Sequence, residues 1–348
     1  MENGSSSPPE VAVAPPALAI EASGLAKRYP NGVEALAGVD LAIGWGVIFA
    51  YLGRNGSGKT TTVRMLTTLT PPSAGTARVA GVDVVADPAG ARKVMGVTMQ
   101  EAALDHLMTG MEHLQLVGQL WGHRAPDARQ RATELLESFG LTDAANRRIS
   151  TYSGGMRRRL DIATALFNRP RVLFLDEPTT GLDPQSRRAV WNTVRDARDE
   201  GTAVFLTTQY LAEAEELADT VAILDAGRVV ATGTVSQLKA TFGRTTVRLR
   251  VAEAHTGAVR TAVGDHPVRR VGDGCLEVDL MGPAADSHAV IGLLSRLRQD
   301  EVGVTELGVS QASLEDVFVR LTGERVSAGN GGHVEEGAGI GALGGGRM

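Results

Sequence analysis

Three stretches of the chain carry residues whose types and spacing can do chemistry. The first is GRNGSGKT, Gly53 to Thr60. It fits G-x-x-x-x-G-K-[ST], follows the strand-like run VIFAYL and precedes a helical run, the context in which this pattern means a phosphate cradle. Gly53, Gly56 and Gly58 let the backbone fold tightly and turn its N–H groups toward phosphate oxygens. The helix opening near Lys59 adds its N-terminal dipole. Lys59 supplies positive charge at the outer phosphates, and the Thr60 hydroxyl suits Mg²⁺. Arg54, Asn55, Ser57 and Thr61 complete the loop. A glycine-rich surface turn is the plain alternative, and it leaves the strand–helix frame unexplained. The loop implies a nucleoside triphosphate, ATP or alternatively GTP.

The second stretch, VLFLDEP, puts Asp176 and Glu177 at the tip of a buried strand, where open α/β sheets hold ligands. Neighbouring strand residues face opposite ways. Asp176 suits the Mg²⁺ shell through water, and Glu177 suits the water that attacks a γ-phosphate. The third is TTQ, Thr207 to Gln209, where the run AVFLTT gives way to an acidic amphipathic helix. An uncharged amide at the mouth of a buried strand either closes a turn or is aimed at something chemical. Shortly before VLFLDEP, Ser153, Gly154 and Gly155 in YSGGMRRRL open a helix whose N-terminus can take another phosphate. The arginine run Arg157–Arg159 reads as a solvated helix face.

Elements must position these residues. From about Ala19 to residue 243, short apolar runs alternate with helical periodicity, which predicts an α/β domain with parallel strands. A helical block over about 103–168 interrupts it, with Leu114, Val117, Leu120 and Trp121 at helical spacing. Residues 244–325 change character to strand-helix-strand-strand-helix-strand, a ferredoxin-like α+β order suited to regulation or dimerisation. The last helix, SLEDVFVRLTG, opens on a Ser cap with Asp316 three positions on. This domain's loss is expected to spare nucleotide binding. Residues 1–18 read as a disordered leader and 326–348 as a disordered Gly-rich tail.

The totals exclude several classes. A net charge of −5 gives no general affinity for nucleic acid. One cysteine, Cys275, excludes an internal disulfide. The longest uncharged run, LAIGWGVIFAYLG, is shorter than the roughly 20 residues of a spanning helix.

Taken together, the three motifs and YSGGM, in this order and spacing, resemble the ATP-binding-cassette (ABC) family, whose signature is usually LSGGQ. The resemblance covers about residues 19–242. It implies a phosphate-loop NTPase fold with an inserted helical subdomain and two cassettes pairing head to tail, each signature facing the other subunit's triphosphate. It further implies that Tyr29 stacks on the base, that Gln100 ligates Mg²⁺ and senses a membrane partner, and that Asp183 in TTGLDP contacts the opposite subunit. Gln209 stands where most cassettes have a histidine on the γ-phosphate. Its amide donates a hydrogen bond but carries no charge. TTQYL, YSGGMRRRLD and SLEDVFVRLTG together resemble the daunorubicin/doxorubicin-resistance branch of drug exporters, through about Gly323.

The expectation is therefore an ATP-hydrolysing subunit, peripheral on the cytoplasmic side of the cell membrane, that energises a separate permease exporting hydrophobic drugs or lipids. Met108, Met111 and Leu120, beside the Gln100 loop, are the expected docking surface, the alternative being core of the helical subdomain, which is the reading for Leu114. A soluble cassette ATPase of DNA repair or translation fits less well, because the chain has no Cys/His cluster or long basic run. A regulatory module with little turnover, motivated by Gln209, is the third reading.

Overall fold

The computed structural model describes residues 17–323 apart from 102, 244, 265, 281–286 and 311. The expected leader, except its last two positions, and the whole expected tail lie outside the described residues. Strands β1 (Ile20–Arg28) and β2 (Glu34–Ile43) form an antiparallel hairpin. After β3 (Ile48–Gly53) and helix α1 (Lys59–Leu66), strands β4 (Ala74–Val79) and β5 (Val82–Asp83) complete a four-stranded sheet in the order β2-β1-β4-β5. This layer differs from the parallel domain expected from Ala19 onward. Its strands bury one face only, with Leu36, Val39, Leu41 and Ile43 inside, as half-covered antiparallel sheets do.

The uninterrupted apolar runs become the central sheet. Helix α2 (Pro88–Lys93) leads to β6 (Met95–Thr98). The helical block follows: α3 (Gly110–Leu120), α4 (Ala125–Ser138) and α5 (Gly154–Ala165). Then come β7 (Val172–Asp176), α6 (Pro184–Asp199), β8 (Ala203–Thr208), α7 (Leu211–Leu217), β9 (Thr220–Asp225), β10 (Arg228–Gly233) and α8 (Val235–Phe242). The order is β10-β9-β3-β8-β7-β6, parallel throughout except for β10. Both faces are covered, which is why these strands do not alternate. Phe49, Tyr51, Phe174 and Phe205 fill one side, while Ile48, Ala50, Leu52, Leu173 and Leu175 fill the other. Parallel register brings the ends of β3, β7 and β8 to one edge, with Leu52 beside Thr208 and Asp176 beside Thr207.

The C-terminal part follows as β11 (Thr245–Val251), α9 (Thr256–Val263), β12 (Val268–Gly272), β13 (Cys275–Leu280), α10 (Ser287–Gln299) and β14 (Val304–Ser310). Its antiparallel sheet runs β12-β13-β11-β14, the ferredoxin-like order, with its own core of Val247, Leu249, Val278 and Leu293. Helix α11 (Leu314–Thr322) starts at the expected capping box of Ser313 and Asp316. It does not join that core. Leu314, Val317 and Phe318 are fully buried with Leu217 and Leu238 in the core of the nucleotide-binding part. The Leu314 N–H donates to Glu215 Oε1 of α7 at 3.0 Å, and Lys239 of α8 pairs with the same carboxylate at 2.8 Å. The sequence division at 244–325 therefore differs at its final helix, whose apolar face is matched by α7 and α8.

Candidate functional site

The phosphate loop links the buried end of β3 to α1. Gly58, with φ of 111°, occupies the cap position of α1, and a Cβ there would lie 2.5 Å from Ala35 O. At Gly53 a Cβ would meet Ser57 Oγ at 2.5 Å and Leu224 O at 2.7 Å. Only glycine permits this turn. The Lys59 side chain folds back into the loop, donating to Gly53 O at 2.9 Å and Arg54 O at 3.0 Å. Its ammonium also pairs with Glu177 at 3.2 Å, both side chains being nearly buried.

The carboxylates sit where sequence put them, and their settings differ. Asp176 is fully buried; its Oδ1 accepts from the Thr207 hydroxyl at 2.5 Å and from the Thr60 hydroxyl at 3.3 Å. Its Oδ2 has no partner, nor does the buried Ser57 Oγ. Glu177 takes φ of 49°, a strained left-handed conformation for a non-glycine residue. Its N–H is held by both Thr207 O and Thr207 Oγ1 at 3.1 Å, and Thr180 donates to its Oε2 at 3.3 Å. The strain turns the Glu177 carboxylate away from the strand and into the cleft.

That cleft, about 650 Å³, is lined by Tyr29, Asn55, Gly56, Gly58, Lys59, Thr60, Thr61, Gln100, Glu177, Thr180 and Gln209. Tyr29 stands at its mouth, with its hydroxyl 3.4 Å from Thr61 Oγ1. The structure thus gathers most of the sequence-derived residues in one place. Ser153, Gly154, Gly155 and Asp183 do not line it. Ser153 caps α5 by accepting from the Met156 N–H at 3.2 Å, and Asp183 caps α6 by accepting from Gln185 and Ser186. A Cβ on Gly155 would collide with Ser186, so these two helix starts abut.

Sequence reasoning missed several residues. The arginine run is not a solvated face: Arg158 is buried, Arg157 donates to Tyr152 O at 2.6 Å, and Arg159 donates to Phe139 O at 2.8 Å. The signal was present in Asp161, one turn after Arg158 and flanked by Leu160, Ile162 and Ala163. Thr207 was passed over as strand, although it bonds both carboxylate residues. Glu213 of α7 is wholly buried, and burial raises its carboxyl pKa; it accepts from the Thr179 hydroxyl at 2.8 Å and the Trp191 N–H at 3.2 Å. Leu114 is core, as expected; of the expected docking residues Met108 and Met111 pack against the core, and Leu120 is 79% exposed. A second cavity of about 600 Å³ beside it is lined by Leu69, Val97, Val117, Leu120, Trp121 and Asp161, among others.

A parallel sheet whose strand ends present a glycine cradle, a buried lysine and an Asp–Glu pair, with a helical subdomain inserted, is a phosphate-loop nucleotide-binding cassette. The chain belongs to the ABC transporter family, which residues 36–180 match, and is an ATP-binding subunit of that family. It is 46% identical over 312 residues to daunorubicin/doxorubicin resistance ATP-binding protein DrrA of Streptomyces peucetius, covering 88% of this chain and 93% of that protein. Linearmycin resistance ATP-binding protein LnrL of Bacillus subtilis is 34% identical over 310 residues, covering 87% and 98%. Among solved structures, an ATP-binding subunit of an ABC transporter superposes with a TM-score of 0.58 at 28% identity, covering 63% of this chain and 91% of its own. The dimeric ATP-binding cassette MJ0796, bound to ADP and phosphate, gives 0.57 at 25% identity, covering 62% and 98%.

Proposed function

We propose that the chain hydrolyses ATP to drive export of hydrophobic drugs or antibiotics through a separate membrane permease. The observation that carries the hydrolytic reading is the convergence of Lys59, Thr60, Gln100, Glu177 and Gln209 on one cleft, with Asp176 bonded to Thr60 beneath it. The named relatives support the export reading, each called a resistance protein for such a compound.

Tyr29 offers its ring to the base, and this contact selects no particular purine, so GTP remains the alternative substrate. The loop's N–H groups between Asn55 and Thr61, apart from that of Ser57, which donates to Arg54 O at 3.2 Å, take the phosphates, and Lys59 exchanges its carbonyl partners and its pairing with Glu177 for phosphate oxygens. That exchange frees Glu177 to accept a proton from the attacking water while the Gln209 amide positions that water. Mg²⁺ fits here: Thr60, Gln100 and Asp176 would hold it, and the buried Asp176 Oδ2, without a hydrogen-bond partner, is an oxygen donor of the kind the ion takes. When bound, it would neutralise charge between the outer phosphates. Ser153, Gly154, Gly155 and Asp183, outside the cleft, serve the nucleotide of a second copy, so the working state is a homodimer.

Among the described residues no helix is long and apolar enough to cross a membrane. Attachment to the cytoplasmic side of the cell membrane then runs through the permease, seated on the apolar cavity at Leu69, Leu120 and Trp121. The test pairs two variants. Lys59→Ala should abolish ATP binding. Glu177→Gln should keep parental affinity, stop phosphate release and accumulate an ATP-bound dimer. Turnover at the parental rate in Glu177→Gln would defeat the assigned mechanism, and a parent with binding but no turnover, even beside its permease, would leave a regulatory module.

A further inference from the structure

The pairing of β6 with β7 ends at Thr98 and Leu175. The next residues, Met99 and Asp176, lead into Gln100 on one strand and Glu177 on the other. No ladder bond joins them. At this gap stands the guanidinium of Arg158. Its Nη1 donates to Met99 O at 2.7 Å, its Nη2 to Asp176 O at 2.9 Å and its Nε to Pro178 O at 2.9 Å. A fourth bond, from Nη1 to Asp161 Oδ2 at 3.1 Å, anchors the group to its own helix α5.

We propose that Arg158 is a positioning residue for the nucleotide site, bracketing the start of the Gln100 loop to the strand end that carries Asp176 and Glu177. The inference rests on the ATP-hydrolysing reading above for its effect on turnover, and on geometry alone for the bracket. Four of the five N–H donors of a rigid, planar fork are engaged, with three backbone carbonyls from two segments as acceptors. Lysine cannot reproduce this, since its three donors radiate from one point. Arg158 lies outside the cleft, so loosening the bracket should disturb the relative placement of Gln100, Asp176 and Glu177 without removing a phosphate contact.

Asp161 is the second half of the device. It is the acceptor that ties the guanidinium to α5, and its side chain also borders the apolar cavity at Leu120 and Trp121. The bracket thus touches that cavity on one side and the carboxylate strand on the other, which gives Gln100 a fixed reference to both.

The full-length protein decides the matter through Arg158→Lys, which keeps the charge and loses the fork. The ATP affinity and KM should stay within about twofold while kcat falls by about tenfold or more, the pattern of a group acting on turnover and not on ground-state binding. Hydrogen exchange over residues 95–99 and 172–178 should speed up, with the melting transition still cooperative. An unchanged kcat, or unchanged exchange in those segments, overturns the proposal. So does a parallel loss of affinity and kcat with a broad melt, which would make Arg158 a plain core ion pair. Should Arg158→Lys not fold, Asp161→Ala decides: it leaves the carbonyl bonds and removes the anchor, and a kcat equal to the parent's overturns the proposal. A parent without ATP turnover refutes the function proposed above, and the exchange measurement still tests the bracket.

Discussion

Glu177 and Gln209 lie on adjacent strand ends, and Thr207 joins them: it holds the Glu177 N–H and sits two residues before Gln209. The position of Gln209 needs a hydrogen-bond donor, and an amide and an imidazole both provide one. Gln209→His should therefore stay active, while Gln209→Ala should lower kcat more than it weakens ATP affinity; equal turnover of alanine and parent would make Gln209 a turn residue. Asp161 gives a pH-dependent expectation. Burial pushes its carboxyl up to about 6 against the pull of Arg158. A carboxyl raised in the folded state binds its proton more tightly there than in the unfolded chain. Its contribution to stability is complete below about pH 4 and is lost as pH rises through 6. Asp161→Asn, always neutral, should gain melting temperature relative to the parent between pH 4 and 7, with the two converging toward the acid end. A gap that does not vary with pH would mean that Asp161 does not titrate in that range. The phosphate loop was legible in sequence because its geometry is local: consecutive residues, with Gly53 and Gly58 where no Cβ fits, make the turn between β3 and α1. Arg158 was not, because its acceptors lie at Asp176, Pro178 and distant Met99, and no spacing rule connects them.

At the scale of elements, apolar runs showed β3, β7 and β8 plainly, since a strand covered on both faces has no polar interruptions. The front layer of β1, β2, β4 and β5 was hidden by its bulges, which break strict alternation between Ala22 and Leu25. The capping box of α11 could be read from Ser313 and Asp316, but not which surface receives its apolar face, because an amphipathic pattern names no partner. The structure names α7 and α8. Phe318→Ala should cost about 3–5 kcal/mol, as for large-to-small changes at other buried aromatic sites. The measurement is the denaturation midpoint of the ATP-free protein. A loss under about 1 kcal/mol would mean that α11 can be shed without cost to the core it completes. Truncation after Gly243 would strip the same contacts, so ATP binding should weaken, contrary to what a cleanly separate C-terminal domain predicts.

For the molecule as a whole, the cavity at Leu69, Leu120 and Trp121 borders β6 and Asp161, and Arg158, paired with Asp161, bonds the backbone of Met99 and Asp176 next to the residues of the nucleotide cleft. Co-expressed with its permease, the protein should sediment with membranes. Leu120→Asp with Trp121→Asp should release it while leaving ATP affinity intact; retention on membranes would move the docking surface elsewhere. Helix α11 also governs when folding can finish. The ribosome releases residues 20–242 well before residues 314–322, with the whole of the second sheet between them. Until the last stretch emerges, α7 and α8 keep an uncovered apolar groove around Leu217 and Leu238. The nucleotide-binding part therefore finishes folding only after residues 314–322 have been made, and a chain cut short before α11 displays that groove to chaperones and proteases. The order of elements along the chain makes α11 a check that the second sheet, β11 to β14, has been made.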